Sequence, residues 1–155
     1  MAVQTAIERR AHATWEGDLK SGSGKFDLQS SGAAEALEVT FASRFEEPGG
    51  KTSPEELIAA AHATCFSMAL SNGLAQDGHA PTRVETDAVC TLDRVDGGFR
   101  ITTMRLTVRG EVDGIDDSTF KQAAAQARDN CPVSQALARN VEIQVDAFLG
   151  SGSTS

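Results

Sequence analysis

Residues 53–74 read SPEELIAAAHATCFSMALSNGL and carry the strongest helix signal in the chain. This stretch opens with a helix start signal, because Ser53 can cap a helix, Pro54 suits the first helical position and Glu56 completes a capping box. The residues that follow, from Leu57 to about Leu74, are apolar on nearly all sides of a helix. Such a helix is normally buried. We therefore predict a central helix that is covered on more than one side.

The segments before this helix predict three short strands. Apolar and polar residues alternate over residues 12–16, 25–29 and 37–42, and turns rich in Gly and Ser separate them. This alternation is typical of half-buried strands. Residues 46–51, EEPGGK, predict the loop that leads into the central helix.

The segments after the helix predict two long strands, two helices and a last strand. Their predicted ranges are 82–93, 99–112, 117–130, 132–139 and 141–149. The apolar phase of the second long strand shifts between Ile101 and Met104, which indicates either a bulge or a strand that is covered on both faces. The order β-β-β-α-β-β-α-α-β favours the α+β class.

Length and charge limit the functions that are open to the chain. Its 155 residues predict one domain over residues 1–149 and a flexible tail over residues 150–155, GSGSTS. Lys and Arg number 14 against 22 Asp and Glu, a net charge of −8, which disfavours nucleic acid and anionic membranes as partners. No secretory signal and no stretch approaching a membrane span is evident, so we expect a cytoplasmic protein.

The residues that say most about function are the three cysteines, Cys65, Cys90 and Cys131. In the cytosol a reactive or metal-binding cysteine is commoner than a structural disulfide. Cys90 falls on the apolar face of a strand, so we interpret it as inert core. Cys131 precedes Pro132, where it should cap the short helix with its sulfur toward free N–H groups that stabilise a thiolate. Cys65 and Cys131 are then a candidate redox pair, although their spacing is no motif.

A thiolate nucleophile needs a cation beside it. Arg44, at the end of the third predicted strand, is one candidate, and Glu55 is the candidate that would hold this arginine. His62 lies one helical turn before Cys65, a pair that could serve thiol hydrolase chemistry or half of a zinc site. The chain has no CxxC or HxxxH pair to complete such a site, so we expect no metal and no cofactor. A zinc-binding thiol protein and a non-catalytic binding module stay open as alternatives.

Four segments resemble the OsmC/Ohr family of thiol-dependent peroxidases. They are WEGD at 15–18, RFE at 44–46, PEELIAAAHATCFSMAL at 54–70 and CPVSQ at 131–135. The resemblance runs from about residue 12 to residue 149. The RFE segment, the AHA within the helix and the VSQ after Cys131 favour the OsmC branch over the Ohr branch.

The resemblance implies both a fold and an activity. The fold is an intertwined α+β homodimer, with an antiparallel-rich sheet packed on the central helix and active sites at the subunit interface. Cys65 matches the peroxidatic cysteine, Cys131 the resolving cysteine, and Glu55 and Arg44 the family's glutamate and arginine.

The implied reaction reduces organic hydroperoxides, and more weakly hydrogen peroxide, to alcohols. It passes through a Cys65 sulfenic acid and a Cys65–Cys131 disulfide, which an external dithiol reduces. Oxidative or osmotic stress defence is the role that the resemblance implies for this chemistry.

Helix geometry adds an expectation about Glu55. On one straight helix Glu55 and Cys65 are separated by about 15 Å along the axis. A glutamate cannot readily serve a thiol that far along its own helix. We therefore predict that the Glu55 beside each Cys65, with Arg44, comes from the other subunit, or that the helix is broken between the two residues.

Overall fold

The computed structural model describes residues 6–150. The described residues up to Pro54 form one compact unit, and those from Glu55 onward form a second. A single domain over residues 1–149 stays a prediction. The predicted flexible tail lies, apart from Gly150, outside the described residues.

The first unit is a three-stranded antiparallel sheet followed by a short helix. Its elements are β1 (His12–Glu16), β2 (Ser23–Asp27), β3 (Leu37–Thr40) and α1 (Phe41–Phe45). β2 is the central strand, paired with β1 and β3. A Cβ atom at Gly24 of β2 would lie 2.6 Å from the ring of Trp15 on β1, so only glycine fits beneath that ring.

The third strand ends earlier than the alternation predicts, and Arg44 lies on a helix. The Thr40 hydroxyl accepts the Ser43 N–H at 3.1 Å, while the Ser43 hydroxyl accepts the Thr40 N–H at 2.8 Å. This reciprocal capping box starts α1 directly after β3. The prediction of a strand through residue 42, with Arg44 at its end, is therefore wrong, because the cap competes with the strand for the backbone.

The remaining elements follow in the order that the sequence predicts. They are α2 (Pro54–Gln76), β4 (Arg83–Val95), β5 (Gly98–Glu111), α3 (Asp117–Asn130), α4 (Pro132–Leu137) and β6 (Glu142–Leu149). β5 is the central strand of a second sheet and pairs antiparallel with β4 and parallel with β6. The α+β class is confirmed.

The predicted bulge in the second long strand is also confirmed. Thr91 pairs with Thr103, whereas Leu92 pairs with Ile101, so Thr102 is the extra residue on β5. Cys90 lies just before the bulge, opposite Met104, and packs against the core. This placement agrees with the interpretation of Cys90 as part of the core.

The core of the second unit is one apolar cluster built from α2, β5 and α3. Its largest fully buried side chains are Phe66, Leu70, Leu74, Met104, Leu106, Val108 and Phe120. Within one chain α2 buries a single face, and Met68 on another face is 68% exposed. The second covered side that the sequence predicts for α2 stays a prediction.

By length and composition alone, α2 is long and apolar enough to cross a membrane. The expectation that no stretch approaches a membrane span is therefore wrong for this helix. The core helix of a soluble protein passes the same test, and α2 supplies three of the largest side chains of the core, Phe66, Leu70 and Leu74.

Candidate thiol site

The start of α4 presents Cys131 to the core. Cys131 ends α3 and is the N-cap of α4, with an extended backbone and Pro132 in the first turn. Its backbone N–H donates to the Ala127 carbonyl at 2.9 Å, and its side chain is fully buried. The break between the two helices thus fixes the position of this thiol.

The thiols of Cys65 and Cys131 lie close enough that Cys131 raises the pKa of Cys65. Cys65 lies on α2, is partly buried and packs against the core cluster. Both cysteines are free thiols. The structure therefore brings together the two cysteines that the sequence singles out, one from α2 and one from the start of α4.

The free N–H at the start of α4 is directed to Cys65. Pro132 has no N–H, and the N–H of Val133 lowers the pKa of the Cys65 thiol. Cys131 makes no side-chain capping hydrogen bond. The expectation that the Cys131 sulfur faces these N–H groups is therefore wrong: the helix start stabilises negative charge on Cys65 instead.

The surroundings of Cys65 nevertheless raise the pKa of its thiol. Burial is the main cause, and the neighbouring Cys131 thiol adds to it, while the Val133 N–H acts in the opposite direction. Removing a sulfur from water disfavours the thiolate. Thiolate chemistry at Cys65 therefore calls for a further positive charge.

His62 and Ser134 form a second link between α2 and α4. His62 Nε2 lies 2.7 Å from the Ser134 hydroxyl, and both side chains are buried. Burial lowers the pKa of His62. Within the described residues His62 Nδ1 has no hydrogen-bond partner, so His62 forms no hydrogen-bonded pair with Cys65 of the kind that thiol hydrolase chemistry requires.

Glu55 lies in the first turn of α2 and is buried. Burial of Cys90 raises the pKa of its thiol, and the negative charge of Glu55 raises it further. The Glu55 carboxylate therefore acts on Cys90. α2 continues without a break from Pro54 to Gln76, which removes the broken-helix alternative. That Glu55 comes from the other subunit to serve Cys65 stays a prediction.

Arg44 lies on α1 in the first unit, with its guanidinium 5.2 Å from the centre of the Phe45 ring. Its role beside Cys65 stays a prediction. Among residues 6–150, no group of three or more His, Cys, Asp or Glu side chains is arranged to hold a metal ion.

Two parts of the site were not predicted, the Val133 N–H and the Ser134 hydroxyl. The spacing gives a weak indication of the role of Ser134. Ser134 lies three residues after Cys131, just as His62 lies three residues before Cys65. For Val133 the only signal is its place after a proline that lacks an N–H.

Comparison with known proteins places this chain in a family. A family model described as OsmC-like protein matches residues 47–146. The chain belongs to the OsmC family. Peroxiredoxin OsmC of Escherichia coli (strain K12) is 46% identical over 145 residues, which cover 94% of this chain and 99% of that protein.

Other OsmC-family relatives are more distant. The organic hydroperoxide resistance protein of Xanthomonas axonopodis pv. citri (strain 306) is 32% identical over 96 residues, 61% of this chain and 66% of that protein. The resemblance to the OsmC branch that the four sequence segments carry is thus confirmed.

Solved structures show the OsmC fold. The organic hydroperoxide resistance protein OsmC of Legionella pneumophila superposes with a TM-score of 0.71 at 22% identity, covering 93% of this chain and 99% of that one. OhrB of Bacillus subtilis superposes with a TM-score of 0.69 at 24% identity, covering 89% and 97%.

Proposed function

We propose that this OsmC-family protein is a thiol-dependent reductase of organic hydroperoxides. The observation that carries the proposal is that the free thiols of Cys65 and Cys131 lie beside each other at the same core. It stands in a chain that is 46% identical to a protein named Peroxiredoxin OsmC. No described contact favours a zinc-binding or a non-catalytic thiol protein.

In the first step the Cys65 thiolate attacks one peroxide oxygen and the O–O bond breaks. The alkoxide leaves, takes up a proton and departs as the alcohol, while Cys65 becomes a sulfenic acid. The Val133 N–H stabilises the thiolate before the attack. Cys65 is only partly buried whereas Cys131 is fully buried, which supports Cys65 as the thiol that meets the peroxide.

In the second step Cys131 attacks the sulfenic sulfur. A Cys65–Cys131 disulfide forms and the sulfenic oxygen leaves as water. The two free thiols already lie beside each other in the reduced protein, which supports capture of the sulfenic acid by Cys131. An external dithiol then reduces the disulfide by exchange and closes the cycle.

Arg44 is the proposed cation for Cys65, and Glu55 is proposed to hold its guanidinium. The raised pKa of Cys65 supports this assignment, because burial must be offset by a positive charge for the thiolate to form near neutral pH. We assign Glu55 to the site of the partner subunit in a homodimer. The single covered face of α2 supports the homodimer, and we propose that it acts in the cytoplasm, where dithiol reductants are found.

Turnover of peroxide with a dithiol reductant tests this function. The protein should consume tert-butyl hydroperoxide faster than hydrogen peroxide, with one dithiol oxidised per peroxide. Consumption no faster than in a protein-free control for both peroxides would refute the proposal. The Cys65→Ser variant is the control for peroxide that disappears without Cys65.

A further inference from the structure

The proposed chemistry does not use the buried contact between His62 and Ser134, so the role of this contact is unexplained by it. His62 is 0% exposed and Ser134 is 2% exposed, and the 2.7 Å hydrogen bond joins side chains 72 residues apart. Burying an imidazole and a hydroxyl is unfavourable unless each finds a partner. The contact is therefore specific to the packing of α4 on α2.

This contact runs beside the pair of cysteines. On α2, His62 precedes Cys65 by three residues, and at the start of α4, Ser134 follows Cys131 by three residues. Residues three apart lie on the same side of a helix. Two links consequently join the same two helices next to each other, a thiol pair and a histidine–serine pair.

We propose that the His62–Ser134 hydrogen bond positions the start of α4 so that Cys131 captures the Cys65 sulfenic acid before a second peroxide reaches it. The proposal rests on the proposed peroxidase function. His62 and Ser134 are positioning residues, because they act through the placement of Cys131. Burial lowers the pKa of His62 and so favours its neutral form.

Two reactions compete for the sulfenic acid. In the productive one, the Cys131 thiol attacks, the disulfide forms and water leaves. In the competing one, a second hydroperoxide transfers an oxygen to Cys65, which becomes a sulfinic acid, and a second alcohol leaves. The first is unimolecular and depends on where Cys131 lies, whereas the second depends on the peroxide concentration.

The experiment measures this competition in a single turnover without reductant. Reduced protein is mixed with increasing tert-butyl hydroperoxide, and mass spectrometry gives the ratio of Cys65 sulfinic acid to Cys65–Cys131 disulfide. Ser134→Ala removes the hydroxyl and His62→Phe removes the imidazole. In both, the peroxide concentration that gives equal amounts of the two products should fall by about tenfold, the effect of losing one buried hydrogen bond.

Two further variants separate positioning from general loosening. His62→Gln keeps a side-chain N–H that can reach Ser134, and its ratio should return toward that of the wild type. Ser67→Ala is the matched control: its hydroxyl also ties α2 to another element, through Thr86 on β4 at 2.7 Å, away from α4. Its ratio should equal that of the wild type.

The outcomes are distinct. An unchanged ratio in folded Ser134→Ala overturns the proposal, as does an equal shift in Ser67→Ala. If Ser134→Ala fails to fold, the product ratios of His62→Phe and His62→Gln are compared instead, and equal ratios overturn the proposal. If the wild-type protein forms neither product, the peroxidase function itself is refuted. If the wild type forms the disulfide and the variants have the same product ratio as the wild type, only the positioning role is refuted.

Discussion

The backbone N–H of Val133 faces Cys65 and lowers the pKa of its thiol, against the effect of burial. The donor belongs to the first turn of α4, the helix that Cys131 begins. One short helix therefore presents both the thiol that would resolve the sulfenic acid and the N–H that stabilises the attacking thiolate. Any movement of α4 would alter both steps, which makes its contact with α2 the central structural feature of the site.

Substituting the two cysteines should have unequal effects. Cys65→Ser should reduce peroxide consumption to the uncatalysed background, because it removes the nucleophile. Cys131→Ser should still consume one peroxide per chain and then stop at the sulfenic acid, which a dimedone adduct at Cys65 detects by mass spectrometry.

The matched control for these variants is Cys90→Ala, which removes a thiol from the β4 face of the core. It should keep peroxide turnover and form the same disulfide. Full turnover by Cys65→Ser, or loss of turnover in a folded Cys90→Ala, would contradict the assignment of the three cysteines.

Mixed dimers test whether Glu55 serves the partner's site. Glu55→Gln should lower turnover about 10- to 100-fold, the loss expected for one charge-assisted hydrogen bond. If Glu55 acts across the interface, mixing Glu55→Gln with Cys65→Ser chains restores one competent site in each mixed dimer. With random pairing this recovers about a quarter of wild-type activity.

The control is each variant mixed only with itself, after the same exchange procedure. Native mass spectrometry confirms that mixed dimers have formed. If they have formed and activity stays at the level of Glu55→Gln alone, Glu55 acts within its own chain and the prediction is wrong.

His62 should make stability depend on pH. Burial lowers the pKa of His62 in the folded chain, so below the unfolded-state pKa of about 6.5 the unfolded chain binds a proton that the folded chain does not. The free energy of unfolding should therefore be fully retained above about pH 6.5 and fall as the pH drops below it. His62→Gln should show a smaller fall between about pH 7 and about pH 5.

Urea unfolding at a series of pH values measures this difference. Hydrogen bonds lower the pKa values of three aspartates, Asp18, Asp116 and Asp117. These aspartates contribute equally to the stability of both proteins, so their effect cancels in the comparison. Parallel pH profiles for the wild type and His62→Gln would show that His62 is not the titrating group.

Gly110 should not tolerate a larger residue. A Cβ atom at Gly110 on β5 would overlap the buried ring of Phe120 on α3. Gly110→Ala should lower the free energy of unfolding by about 1–3 kcal/mol, as overpacking of a tight core does. Gly73→Ala is the matched control, because a Cβ there meets no atom within 4 Å, and thermal unfolding should separate the two variants.

Much of the fold follows from local signals in the sequence. The start of α2 at Pro54 and the bounds of α3 at Asp117 and Asn130 agree with prediction, since caps and helix-forming residues act over a few neighbouring positions. α1 was not predicted, because Thr40 and Ser43 suit a strand as well as a cap. No periodic pattern in the sequence shows whether these residues continue the strand or cap a helix.

The site itself is only partly readable from the sequence. The chemistry of Cys65 and Cys131 is suggested by residue type and by family resemblance. The donor that serves Cys65 and the link from His62 to Ser134 depend on the packing of α4 on α2, between residues far apart in the chain. Long-range packing of this kind leaves no local pattern to detect.

Thiol counting after one equivalent of tert-butyl hydroperoxide shows whether Cys65 and Cys131 are the redox pair. The reduced wild-type chain has three thiols, and we expect one to remain after oxidation, that of Cys90, with a Cys65–Cys131 peptide identified by mass spectrometry. Three remaining thiols, or a disulfide that includes Cys90, would contradict it.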